Sequence, residues 1–152
     1  DACLWCLGIS QNDTSKEEYV KITYDYALAA ARAMRGSGDN FRFCFLSGAG
    51  ADTTEKSPIL FARIKGKTEN ALASLARPKA WHFRPGYIHA INTPPKKWFE
   101  RWLEPLTPLF YRFLPSRIIS TVELAKAMLA VARHGSAKTI LDNDDIRELS
   151  NK

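Results

Sequence analysis

Apolar residues in this chain fall into short continuous runs, separated by longer stretches in which they recur at helical spacing. Ala2 to Leu7 is the first run, stopped by Gly8, and it reads as a strand buried on both faces that ends in a tight turn. After a loop from Ile9 to Thr14, Ser15 stands where a helix cap is expected and Glu17 and Glu18 fall in the positive first turn. Tyr19, Ile22, Tyr26 and Ala30 then repeat on one helical face until Gly36 and Gly38. The alternation recurs. Phe41 to Leu46 is a second apolar strand, Ser47-Gly48-Ala49-Gly50 is its exit loop, and Ser57 to Leu75 reads as a helix with Pro58 in its first turn, where a missing N–H costs nothing. A third strand, Ala80 to Phe83, runs into Arg84-Pro85-Gly86. Strands alternating with helices imply βαβ units and a parallel sheet.

Beyond Ile91 the pattern changes. Thr93-Pro94-Pro95 breaks the chain, and an aromatic-rich stretch from Trp98 to Phe113 is interrupted by Pro105 and Pro108, which argues against one straight helix. Arg117 to Ser120 reads as a short extended piece leading into a helix from Thr121 to His134, with Val122, Ala125, Leu129 and Ala132 on its apolar face and Gly135 at its end. Thr139 to Leu141 is the last expected strand and Asp144 to Leu149 a terminal helix. Residues 1–152 are read as one domain: an α/β core over 1–90, an aromatic-rich variable segment over 91–117 and a helix-strand-helix unit over 118–152.

Composition narrows the class. Forty-five per cent apolar residues in 152 suffice for an ordinary core, and no apolar run approaches the length of a membrane span, so an intracellular, cytoplasmic protein is expected. The first residue is Asp1, with Leu4 to Leu7 already apolar, so the chain is expected to begin inside a structural element, as a fragment or a processed form. Cys3, Cys6 and Cys44 are too few to staple a domain, and the Cys3-x-x-Cys6 spacing falls on a strand, where residues three apart face opposite ways; no metal site is expected. The formal charge of +6 is spread along the chain and permits a phosphate-bearing ligand or an anionic surface without choosing one; nucleic acid is not expected.

In a parallel α/β sheet, ligands bind beyond the carboxyl ends of the strands. That directs attention to Gly8-Ile9-Ser10, Ser47-Gly48-Ala49-Gly50 and Arg84-Pro85-Gly86-Tyr87, where small residues let a backbone approach a ligand. Together with Tyr24-Asp25-Tyr26, Leu46 to Asp52 and Phe61-Ala62-Arg63-Ile64-Lys65-Gly66-Lys67-Thr68-Glu69, these motifs stand in a recognisable order. The chain resembles the second half of an atypical short-chain dehydrogenase/reductase, of the Tat-interacting-protein and nucleoside-diphosphate-sugar-epimerase-like NAD(P)-binding group, closely over about residues 2 to 90 and loosely beyond.

The resemblance implies a doubly wound Rossmann-like parallel sheet, partial here: no Gly-rich phosphate-binding turn precedes Gly8, so the N-terminal βαβ units would be missing and the first strand would expose an unpaired edge. It implies NAD or NADP as cofactor of a full-length relative and a small-molecule substrate, with Gly8, Ser10, Lys65, Pro85 and Gly86 on the cofactor side. It makes Ser47 similar to the serine that hydrogen-bonds the reacting carbonyl, and Lys65 similar to the lysine that holds the nicotinamide ribose and lowers the pKa of a tyrosine four residues earlier. This chain has Phe61 at that position, and a phenyl ring has no proton to give, so standard carbonyl reduction is expected to be weak or lost.

Bland readings stand beside these. Ser47 also suits a turn cap, Lys65 a solvated helix position, and Arg84 an anchor of the strand end through a charge pair. A non-enzymatic alternative uses the exposed first strand for a protein partner or self-association. Over 96–117 the aromatics with Lys96, Lys97, Arg101, Arg112 and Arg117 form either a cover for the sheet or substrate pocket, a partner-binding surface, or a peripheral membrane-binding one.

Overall fold

The computed structural model describes residues 1–89 and 117–151. Their elements are β1 (Ala2–Trp5), α1 (Lys16–Val20) running through a π-helical turn (Lys21–Asp25) into α2 (Tyr26–Ala33), β2 (Arg42–Leu46), α3 (Leu60–Ala73), β3 (Lys79–Phe83), β4 (Tyr87–His89), β5 (Ile118–Ser120), α4 (Thr121–His134), β6 (Ile140–Leu141) and α5 (Asn143–Ser150). β1, β2, β3 and β6 lie side by side in that order, all parallel, with Trp5, Phe45 and His82 in register and Leu46, Phe83 and Leu141 in the next row. A separate parallel pair joins β4 to β5.

The two faces of the sheet carry two cores, because successive strand side chains point to opposite sides. Phe43, Phe45 and Ala80 pack with Ala27, Leu28 and Ala31 of α2 and Leu72 of α3. Cys44, Trp81 and Phe83 pack on the other face with Leu124, Ala127, Met128 and Val131 of α4 and Ile146 of α5. The helix starts are chemically set. Ser15 accepts from Glu18 N–H, while Ser120 with Glu123 and Asp142 with Asp145 each form a reciprocal capping box.

Several expectations are corrected. β1 spans Ala2–Trp5, not Ala2 to Leu7, and is not buried on both faces: among the described strands it is the outermost, its Cys3 and Trp5 meet the α2 side and Leu4 is 40% exposed. The first helical stretch stops at Ala33, short of Gly36, and its buried set is Tyr19, Thr23, Ala27, Leu28 and Ala31, leaving Tyr26 41% exposed. The physical reason is the π turn: it takes in one extra residue, which rotates everything downstream relative to an uninterrupted α-helical stripe. α3 begins at Leu60, so Pro58 precedes it; the Asp52 carboxylate accepts from the amides of Thr54, Lys56 and Ser57 and holds that segment in turns. α4 has the expected ends but buries a different face, with Val122 and Leu129 46% and 45% exposed. β4 was not anticipated. The aromatic-rich stretch lies outside the described residues, apart from Arg117.

Gly66 shows how closely α3 seats. A Cβ there would lie 1.8 Å from the Asp52 carbonyl oxygen, a backbone atom that cannot swing aside. Gly66→Ala is therefore expected to destabilise the fold by about 2 kcal/mol or more, although alanine gains about 1 kcal/mol of helix propensity. Urea unfolding checks this; an unchanged or raised midpoint would show that the α3 contact is not tight.

Candidate functional site

Parallel alignment brings the carboxyl ends of β1, β2 and β3 to one rim, so Gly8, Ser47 and Gly86 follow neighbouring strands there. The loops are tied together by backbone. Ser47 N–H donates to Phe83 O and Ala49 N–H to Pro85 O, both at 2.8 Å, which fixes the exit of β2 against the exit of β3. The first loop reaches α3 through Gln11, whose side-chain oxygen accepts from Phe61 N–H at 2.8 Å. Gly86 is held by Asn143, and a Cβ on it would lie 2.3 Å from Arg117 O, so the β3 exit passes tightly under β5. Gly8 and Ser10 are exposed, and a Cβ on Gly8 meets nothing within 4 Å.

One stripe of α3, Phe61, Lys65 and Glu69, supplies the side chains that face this rim. The Lys65 ammonium donates to Leu46 O at 2.8 Å and stands 4.8 Å from the Phe45 ring centroid. Burial pushes its pKa down to about 8, against the opposing charges of Glu69 and Cys6. Glu69 is fully buried and accepts from three directions: Ser47 Oγ at 2.5 Å, Arg84 Nε at 3.0 Å and Arg84 Nη2 at 2.5 Å. Hydrogen bonding to Glu69 raises the pKa of Arg84, which anchors the end of β3 through a charge pair, as its alternative reading had it.

Phe61 points end-on at the loop after β2. A Cβ built on Gly48 would lie 2.6 Å from Phe61 Cζ, with the two Cε atoms at 3.4 and 3.6 Å, so the ring tip is the nearest atom and the ring axis runs at Gly48. The position whose side chain would meet residue 61 is therefore 48, while the Ser47 hydroxyl gives its proton to Glu69.

Sequence reasoning named Lys65, Phe61, Ser47 and Arg84, quoted Gly48 and Glu69 within longer motifs without giving either a role, and missed Gln11. Glu69 was readable in principle as the next acidic residue on the Phe61–Lys65 stripe; the Gln11 contact spans fifty residues and left no local signal. The three cysteines are free, Cys44 being buried with its thiol pushed up to about 12. Among the described residues no helix is long and apolar enough to cross a membrane.

Beside this site His82 is 2% exposed, and neither ring nitrogen has a hydrogen-bond partner among the described residues. Burial pushes its pKa down to about 4. Between the ordinary histidine value of 6.5 and about 4, the unfolded chain therefore binds a proton that the folded chain refuses, and stability falls as pH falls through that window. Relative to His82→Leu, the wild type is expected to lose about 2–3 kcal/mol more on going from pH 6.5 to 4, read from urea midpoints; parallel losses would exclude a buried neutral imidazole.

Two comparisons place this geometry. The chain is homologous to the protein named HTATIP2 of Rattus norvegicus, with 28% identity over 103 residues, which is 66% of this chain and 41% of that protein. Its fold superposes on the crystal structure of UDP-N-acetylglucosamine 4-epimerase from Bacillus cereus with a TM-score of 0.62 and 13% identity, covering 97% of this chain and 62% of the epimerase chain. The chain thus spans about two fifths of HTATIP2 and about three fifths of the epimerase chain whose fold it matches, and the α/β parallel-sheet assignment stands. No protein-family model matches the chain.

Proposed function

We propose that the chain supplies the later strands of an NAD(P)-binding, oxidoreductase- or epimerase-like fold whose carbonyl chemistry is weak or lost. The carrying observation is the α3 stripe: Lys65 reaches the carboxyl end of β2, while the residue one turn earlier is Phe61, closed end-on against Gly48. A reacting carbonyl needs a proton donor there. Neither Phe61 nor Gly48 has one, and Ser47 has its proton engaged by Glu69. The cofactor side falls to Gly8, Ser10, Lys65, Pro85 and Gly86, whose loops can approach a dinucleotide but include no helix N-terminus with a Gly-rich turn to take its pyrophosphate. Homology to HTATIP2 and the epimerase fold support this reading.

Titrating the isotope-labelled chain with NADH and NADPH, followed by amide NMR shifts, tests it. Weak binding is expected, well above the micromolar range, with the shifted amides at Gly8, Ser10, Lys65 and Gly86. Shifts elsewhere, or none at millimolar nucleotide, would overturn the cofactor reading; micromolar binding would show that these loops suffice on their own.

A second reading is favoured by the edge of the sheet. Among the described strands β1 has a neighbour on one side only, and Leu4 with Val122 and Leu129 of α4 leaves apolar surface open. A non-enzymatic scaffold or regulatory protein would use this edge for a protein partner or a second copy. Size-exclusion chromatography with light scattering is then expected to show concentration-dependent self-association that Leu4→Lys abolishes; a monomer at all concentrations would count against self-pairing.

A further inference from the structure

Lys65 is a buried amine with no ion pair of its own among the described residues. It is 8% exposed, and its one hydrogen bond among the described residues goes to a neutral acceptor, Leu46 O. Both oxygens of Glu69, four residues on, are taken by Arg84 and Ser47. Phe61, one turn earlier, has no proton for the ammonium to influence. A carbonyl oxygen accepts an N–H from a charged or a neutral amine alike, so Lys65 can lose a proton, keep its bond to Leu46 and hold a lone pair free. The face of the Phe45 ring favours the cation, but an interaction of about 0.5–2 kcal/mol is smaller than the burial that opposes it.

We propose that Lys65 is a carbonyl-capturing nucleophile, forming an imine with small aldehydes that reach the rim between the β1 and β2 exits. The nitrogen lone pair bonds to the carbonyl carbon, the C=O π pair moves to oxygen, and the proton lost by nitrogen goes to that oxygen, giving a carbinolamine. Loss of the hydroxyl with the remaining N–H proton, as water, leaves C=N, with nothing oxidised or reduced. The slight exposure of Lys65 confines the substrate class to short, unbranched aldehydes.

The test is reductive trapping on the whole folded chain: propionaldehyde with sodium cyanoborohydride at pH 7, without nucleotide, followed by peptide mapping in a mass spectrometer. Lys65 is expected to label at least ~10-fold faster than the exposed Lys16, Lys56 and Lys126, because each unit of lowered pKa leaves about tenfold more neutral amine. That advantage should disappear in denaturant, and Lys65→Arg should remove this label while leaving the others. Labelling of Lys65 no faster than the surface lysines in the folded chain overturns the proposal. No nucleotide is used, so a chain that ignores NADH yet traps aldehyde at Lys65 would refute the cofactor reading and leave this one standing.

Discussion

The buried carboxylate of Glu69 holds the rim in place. A carboxylate taken out of water is tolerable only when its charge is matched and its lone pairs are filled, and here the Arg84 guanidinium and the Ser47 hydroxyl do both. The three residues come from α3, the end of β3 and the exit of β2, so one ionic cluster fixes the helix against two strand ends. Breaking a buried pair from one side typically costs about 3–5 kcal/mol, since the remaining charge is stranded. This places the cluster among the features on which the rim loops depend. It also decides what the rim can do: the hydroxyl and the guanidinium spent on Glu69 are not free for a ligand.

The backbone is brought in close around that cluster by glycines. Gly66 lets α3 lie on the Asp52 carbonyl, Gly86 lets the β3 exit pass under Arg117, and Gly48 receives the tip of Phe61. Each is a steric requirement set by a neighbouring atom, and only the first and second are imposed by backbone. The third is a side-chain fit, with the ring and the missing side chain complementing one another.

Much of the framework was legible in the sequence because its signals are local. β2, β3 and β6 are short apolar runs with turn residues after them, and Ser15 announces its helix by capping chemistry that needs only the next few residues. What escaped depends on partners elsewhere in the fold. The α4 stripe was misplaced because apolar residues occur on two faces of that helix, and only the sheet and α5 decide which is covered. The π turn left no composition signal, so the buried face of the first helical stretch was read one position out. At the site, Lys65 and Phe61 were singled out by the family resemblance of the motif that runs from Phe61 to Glu69. The inward turn of Ser47 was not legible, because it is set by Glu69 and Arg84, each far away in the chain.

Phe61 is more than a site residue lacking one oxygen. Its ring tip lies 2.6 Å from where a Cβ on Gly48 would stand, so the ring is aimed at the place that a side chain at position 48 would occupy. A side chain at position 48 has no room while the ring stays where it is. The ring at position 61 and the missing side chain at position 48 therefore fit one another sterically. Lys65 is unaffected by either, since its nitrogen is positioned by Leu46 O and the Phe45 ring on β2. On the proposed reading the amine has its place and its desolvation without a proton-transfer partner at Phe61, and chemistry at this rim falls to the nitrogen itself.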